Sequence, residues 1–172
     1  MKIFGIAGFK NAGKTTLIVE LIRELRSRGL RVATVKHAHH EFDIDHPGKD
    51  SHQHRAAGAV EVIVSSARRW AHIRELFDTP EPPLEELLRH MHSPDIVLIE
   101  GYKHGPHPKL ELRRTGHDVP DLSAADESVC MIVCDDPGSV RVTRDIPVLD
   151  RRDIKAIADC ILRCAVDQPS VS

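Results

Sequence analysis

Aromatic residues are scarce in this sequence: one Trp, one Tyr and four Phe make up 3% of 172 residues. A platform that holds single-stranded nucleic acid by stacking bases needs more than that. Charge of one sign is missing too. Twenty-four Lys and Arg against 26 Asp and Glu leave a net charge of −2, without the broad basic face that nucleic-acid binding requires. No stretch approaches the ~20 apolar residues of a membrane span. The early apolar run at 3–9 meets Lys10 and Lys14 before a signal sequence forms. The expected location is the cytoplasm, with neither nucleic acid nor membrane among the partners. Cysteine is sparse, at 130, 134, 160 and 164. The pairs are spaced too widely for Cys-x2-Cys zinc ligation, and a reducing compartment disfavours disulfides, so the thiols read as small buried side chains on a strand and a helix.

What is present is a regular alternation of apolar segments. Residues 2–7 form a short buried strand, and 15–28 place Leu17, Ile18, Leu21, Ile22 and Leu25 on one face of a helix. Residues 30–35 make a second strand, so the first 35 residues are one βαβ unit with parallel strands. Residues 37–58 are polar and histidine-rich, a long loop with a short helix at 51–57, and loops of that length are often functional. Further strands are expected at 61–65, 95–100, 109–114, 129–134 and 146–149, and helices at 84–91 and 153–166. Residues 70–76 suit either type. The whole reads as an α/β fold with a single domain over 1–167 and a frayed tail at 168–172.

The segment from Gly8 to Thr15 matches G-x-x-x-x-G-K-[ST] in full, and Thr16 follows. Its context is right: an apolar strand before it, an amphipathic helix after it. Glycines at both ends let the backbone of Gly8, Lys10, Asn11, Ala12 and Gly13 curl so that successive N–H groups point at phosphate oxygens, and the helix adds its own N-terminal amides. Lys14 supplies a point charge for the β- and γ-phosphates, and the Thr15 hydroxyl a ligand for Mg²⁺. A second metal-holding group belongs at the carboxyl end of a neighbouring strand. Of the two acids flanking the run Ile96 to Ile99, Glu100 stands at that end and Asp95 at the far one. Asp135 and Asp136, after the strand 129–134, are either the readers of the base, since the usual [NT]-K-x-D is missing, with Asp135 the first candidate, or a solvated turn before Pro137-Gly138.

Twelve histidines are the compositional oddity. His37, His39 and His40, with Asp45, Lys49 and Asp50, mark a segment that is a switch or ligand loop, a metal site, or plain polar surface. Lys103 and Lys109, with His104, His107, Arg113 and Arg114, are either an anion-binding surface or a solvated loop beside a charge-protected edge strand.

Taken together, Gly8 to Thr16, Val35-Lys36-His37-Ala38-His39-His40, Asp45-His46-Pro47-Gly48-Lys49-Asp50-Ser51, Ala57-Gly58-Ala59, Glu100-Gly101-Tyr102-Lys103 and Pro108-Lys109 resemble the MobB family, the adapters of molybdopterin-guanine dinucleotide biosynthesis. The resemblance runs from Met1 to about Asp150. It implies a P-loop NTPase-type fold, a mostly parallel sheet flanked by helices with an added antiparallel or edge-strand region. It also implies a GTP-binding homodimer with weak or partner-dependent GTPase activity. Its partner is the guanylyltransferase that attaches GMP to molybdopterin, and its ligands are GTP and Mg²⁺. Two other readings stand beside it: a small-molecule P-loop kinase, and a metallochaperone GTPase working through the histidine loop.

Overall fold

The computed structural model describes residues 1–38, 42–114 and 121–168. In chain order the elements are β1 (Lys2–Gly8), α1 (Lys14–Ser27), β2 (Val32–Lys36), α2 (Asp50–Ala56), β3 (Glu61–Ser65), β4 (Trp70–Arg74), α3 (Leu84–Arg89), β5 (Ile96–Glu100), β6 (Lys109–Leu112), α4 (Leu122–Ala125), β7 (Val129–Cys134), β8 (Val148–Asp150), α5 (Ile154–Cys164) and β9 (Val166–Asp167). A 3-10 turn covers Pro137–Ser139. None of the described helices is long and apolar enough to cross a membrane.

Where the sequence reads as one domain, the chain divides into two compact units, Met1–His37 with Met91–Ser172, and Ala38–His90. The first unit holds a sheet in the order β2-β5-β1-β6-β7-β8, every pair parallel, with β9 antiparallel against the start of β1. β1, β5 and β7 are nearly continuous apolar runs because both faces of a parallel sheet are covered. On one face, Leu17, Leu21 and Leu25 of α1 and Ile157, Ala158 and Ile161 of α5 pack with Phe4, Ile6, Leu98 and Met131 in a single core. Burying each such aliphatic side chain contributes about 1.5–3 kcal/mol.

The eight-residue link from β5 to β6 crosses the face of β1, which lies between them. His107 of the link and Lys109, in register beside Gly5 on β6, crowd that residue: a Cβ there would stand 2.8 Å from His107 Nε2 and 2.8 Å from Lys109 Cβ. This is why β1 has a glycine in the middle of its apolar run.

β6 departs from the sequence reading. An edge strand was one of the two readings of this basic segment, but β6 lies between β1 and β7 with all four residues buried. Its two charges are neutralised inside. The Lys109 ammonium, fully buried, donates to Asp126 Oδ2 at 2.9 Å, to the carbonyls of Gly105 at 2.6 Å and Lys103 at 3.1 Å, and to Ser128 Oγ. The Glu111 carboxylate accepts from the backbone N–H groups of Leu122 and Ser123 at the start of α4, and from Arg113. All four cysteines are free thiols, with Cys134 and Cys160 buried and the other two half-buried.

In the second unit β3 and β4 form an antiparallel hairpin in register from Glu61↔Arg74 to Ser65↔Trp70, so the ambiguous 70–76 segment is a strand. Arg55 on α2 gathers three carboxylates: Glu75 at 2.6 Å, Asp43 at 3.0 Å and Asp45 at 3.3 Å. At the other end of the chain, Gln168 N–H donates to the Met1 carbonyl at 3.0 Å. Residues 169–172 of the expected tail lie outside the described ones.

Candidate functional site

β1 ends in the loop Gly8–Gly13, and the chain then turns directly into α1. Asn11 and Gly13 take positive φ, 65° and 93°, which winds the loop around its own centre. The first bond of the helix runs from the Leu17 N–H to the Gly13 carbonyl at 3.1 Å. The amides of Lys14, Thr15 and Thr16 thus precede it, and no side chain caps them and no acid stands in the first turn. Amides left so at a helix N-terminus, with the positive end of its dipole, are an anion site.

Lys14 folds back over the loop. Its Nζ donates to the carbonyls of Gly8 at 2.8 Å and Phe9 at 2.9 Å. Partial burial lowers its pKa, and the Lys36 charge adds to this, while the Glu100 carboxylate opposes it. Thr15, Thr16 and Lys10 are exposed, and Ala12 is buried beneath the loop.

Glu100 closes β5 in register with Ile6 on one side and Lys36 on the other. Its side chain is 15% exposed and lies 3.8 Å from the Lys36 ammonium. Asp95 sits at the opposite end of β5, where its carboxylate accepts from the Arg31 backbone N–H at 2.7 Å and pairs with the Arg31 guanidinium. The strand direction inferred from sequence holds. Next to Glu100, the Glu100-Gly101-Tyr102 and Lys36-His37 segments meet. The His37 N–H donates to the Glu100 carbonyl at 2.8 Å, the His37 and Tyr102 rings lie 4.7 Å apart, and Gly101 (φ 95°) has the His37 Cβ where its own would project.

On the other flank of β1, Asp135 follows β7 and pairs with Arg151, which follows β8, at 3.2 Å. The Arg151 guanidinium in turn lies against Gly13, 2.9 Å from where a Cβ would be. Arg114, after β6, donates to the Asn11 carbonyl at 3.2 Å. Arg151 escaped the sequence reading; its signal was the position just past a parallel strand, the end at which α/β sheets bind ligands.

Of the two readings of the basic residues around Lys103 and Lys109, the anion-binding surface does not assemble. Lys103 and His104 are exposed, but His107 and Lys109 are buried and Arg113 is taken by Glu111, Asp121 and Ser123. Lys109 is thus a structural cation, not part of an anion-binding surface. Its four oxygen partners hold the 101–108 link in place.

In the second unit Asp45 accepts from the Ser51 hydroxyl at 2.9 Å and the His46 N–H at 3.0 Å besides Arg55. Burial pushes its carboxyl up, but these partners outweigh that and hold it below the usual range. Asp45 therefore fastens the turn at 43–46 to α2, and this accounts for the Asp-His-Pro-Gly-Lys-Asp-Ser segment in structural terms. Lys49 and Asp50 are exposed at the start of α2. His39 and His40 lie outside the described residues. Among the described residues no group of three or more His, Cys, Asp or Glu is placed to hold a metal ion.

The family model of molybdopterin guanine dinucleotide synthesis protein B, MobB, matches residues 3–135. The chain belongs to the MobB family. It is 37% identical to the molybdopterin-guanine dinucleotide biosynthesis adapter protein of Escherichia coli K12 over 163 residues, 93% of this chain and 91% of that one. It is 38% identical to the Haemophilus influenzae adapter protein over 162 residues, 92% of this chain and 86% of that one. The crystal structure of Bacillus subtilis MobB superposes with a TM-score of 0.74 at 25% identity, covering 98% of this chain and all of that one. Another MobB crystal structure superposes with a TM-score of 0.70 at 27% identity, covering 94% and 98%. The MobB match spans the phosphate loop, the second unit, the Glu100 segment and Asp135, and stops before Arg151.

Proposed function

We infer that this chain is a GTP-binding adapter in the biosynthesis of molybdopterin-guanine dinucleotide. The observation that carries the reading is the complete phosphate loop at the tip of β1, with Lys14 folded into it, in a chain of this family. The loop amides and those opening α1 hold the β- and γ-phosphates. Lys14 exchanges its two carbonyl partners for phosphate oxygens, a move that needs only side-chain rotation.

Magnesium fits the donors at the mouth. Thr15 offers an exposed hydroxyl and Glu100 a carboxylate, both hard oxygen ligands. When bound, the ion supplies positive charge that neutralises the β- and γ-phosphate oxygens. Glu100 releases Lys36 to take part, and their 3.8 Å separation makes that a weak tie. Asp135 stands at the rim where the base belongs. Hydrolysis under this reading is slow or dependent on a partner that completes the site, the behaviour of P-loop proteins before an activating group is supplied. The partner is the guanylyltransferase that joins GMP to molybdopterin, and the setting is the cytoplasm.

The adapter acts as a homodimer, and the hairpin of the second unit supports this. Ile63, Val64 and Trp70 are 65%, 48% and 56% exposed on an isolated two-stranded sheet, which is marginal by itself in water.

Lys14→Ala tests the core of the reading. Titration calorimetry with GTP and Mg²⁺ should show affinity falling about a hundredfold, the scale of losing charged hydrogen bonds. Circular dichroism should show the fold unchanged. An unaltered affinity in the folded variant removes the loop from nucleotide binding.

A further inference from the structure

We propose that Asp135 and Arg151 together read the nucleobase, and that the pair selects guanine; this rests on the nucleotide-binding reading above. Four carboxylates stand at or just past the carboxyl ends of β7 and β8. Asp136 accepts from the Gly138 N–H and caps the 3-10 turn. Asp150 is clamped by Arg152, which holds its carboxyl down at about 2. Asp153 caps α5 through the Ala156 N–H. Asp135 alone among the four pairs with a side chain that touches the phosphate loop.

That side chain is Arg151, which lies against Gly13, the residue before Lys14. A nucleotide whose phosphates fill the loop therefore extends past the Arg151 guanidinium. Both members of the pair keep solvent access, with 22% and 36% of their side chains exposed. Pairs of this kind are weak, so a base enters at little cost.

The chemistry of the pair matches one base. Guanine carries the acceptors N7 and O6 beside the donors N1–H and N2–H₂. A guanidinium answers the first two and a carboxylate the last two. Arg151 and Asp135 stand side by side at 3.2 Å, as O6 and N1 are neighbours on the base. A guanidinium has five N–H donors, so Arg151 can keep Asp135 oriented while donating to O6. Adenine reverses the pattern. Its N6 amino group would face a donor, and its N1 acceptor a carboxylate.

The test is titration calorimetry of the full chain with GTP, ATP, XTP and inorganic tripolyphosphate in the presence of Mg²⁺. The wild type is expected to favour GTP over ATP by tenfold or more, the scale of one mismatched polar contact. Arg151→Met should bring that ratio towards one while tripolyphosphate affinity stays within about twofold. Asp135→Asn should move preference from GTP to XTP, because an amide donates to the carbonyl that replaces N2–H₂. Arg152→Ala, one residue away and outside the pair, serves as the control and should change nothing. Equal wild-type affinity for GTP and ATP overturns the proposal while leaving phosphate binding in place. So does an Arg151→Met variant that loses GTP, ATP and tripolyphosphate by the same factor, which would make Arg151 only a brace for the loop. A wild type that binds no triphosphate at all overturns the nucleotide reading itself.

Discussion

Lys109 carries a charge into a position without solvent, and its tolerance there depends on four oxygens, of which only Asp126 is ionic. Removing one partner of a buried pair leaves the other uncompensated. Lys109→Met is expected to destabilise the protein by about 3 kcal/mol in urea unfolding. The same pair sets an acid limit. Burial pushes the Asp126 carboxyl up, but hydrogen bonds from Ser128 and Lys109 outweigh it and leave its pKa below the ordinary value. A depressed carboxyl stabilises fully above the unfolded pKa near 3.9 and loses that contribution as pH falls through the folded value. Asp126→Asn should therefore be less stable than wild type at pH 7 and lose less on going from pH 5 to pH 3. A parallel acid response in the two proteins would assign the sensitivity elsewhere. The two acids of β5 offer a second contrast at this scale. Glu100→Gln should weaken Mg²⁺-dependent GTP binding about tenfold. Asp95→Asn, whose carboxylate bonds Arg31 at the opposite end of β5, should leave binding alone and cost stability instead. Equal effects on binding would remove Glu100 from the metal site.

At the scale of elements, the link between β5 and β6 packs closely on β1. Gly5→Ala inserts a methyl 2.8 Å from both His107 and Lys109 Cβ, and Lys109 cannot retreat because its ammonium is pinned. A loss of about 1–3 kcal/mol is expected from overpacking of this kind, read as a lower thermal midpoint. An unchanged midpoint would mean that the link moves freely. The elements legible in sequence are those with an unbroken apolar run or a clear 3.6-residue period: β1, α1, β5, β7 and α5. The phosphate loop was legible for a different reason, since its chemistry requires particular residues at fixed spacing. β6 was misread because Lys109 and Glu111 look solvent-facing until Asp126, Ser128 and Ser123 arrive from later in the chain. Arg151 was invisible for a similar reason. It reaches Gly13 only through the pairing of β7 with β8, a contact between distant segments that no local pattern announces.

For the molecule as a whole, the hairpin of the second unit leaves Ile63, Val64 and Trp70 exposed on a two-stranded sheet, which is marginal by itself in water. Trp70→Glu is expected to turn a dimer into a monomer in sedimentation equilibrium without unfolding the protein. A wild type that sediments as a monomer at all concentrations would sink that assembly. The sheet order has a consequence for how the protein comes into being. Lys2 lies beside Ile96, and Gly5 beside Lys109. The strand that bears the phosphate loop thus leaves the ribosome long before either of its sheet neighbours exists. Translation must pass β6 before β1 is flanked on both sides, so the loop becomes a working receptor only after that point. Nascent chains stalled before that point should fail to retain GTP, although every residue of the loop has already been made.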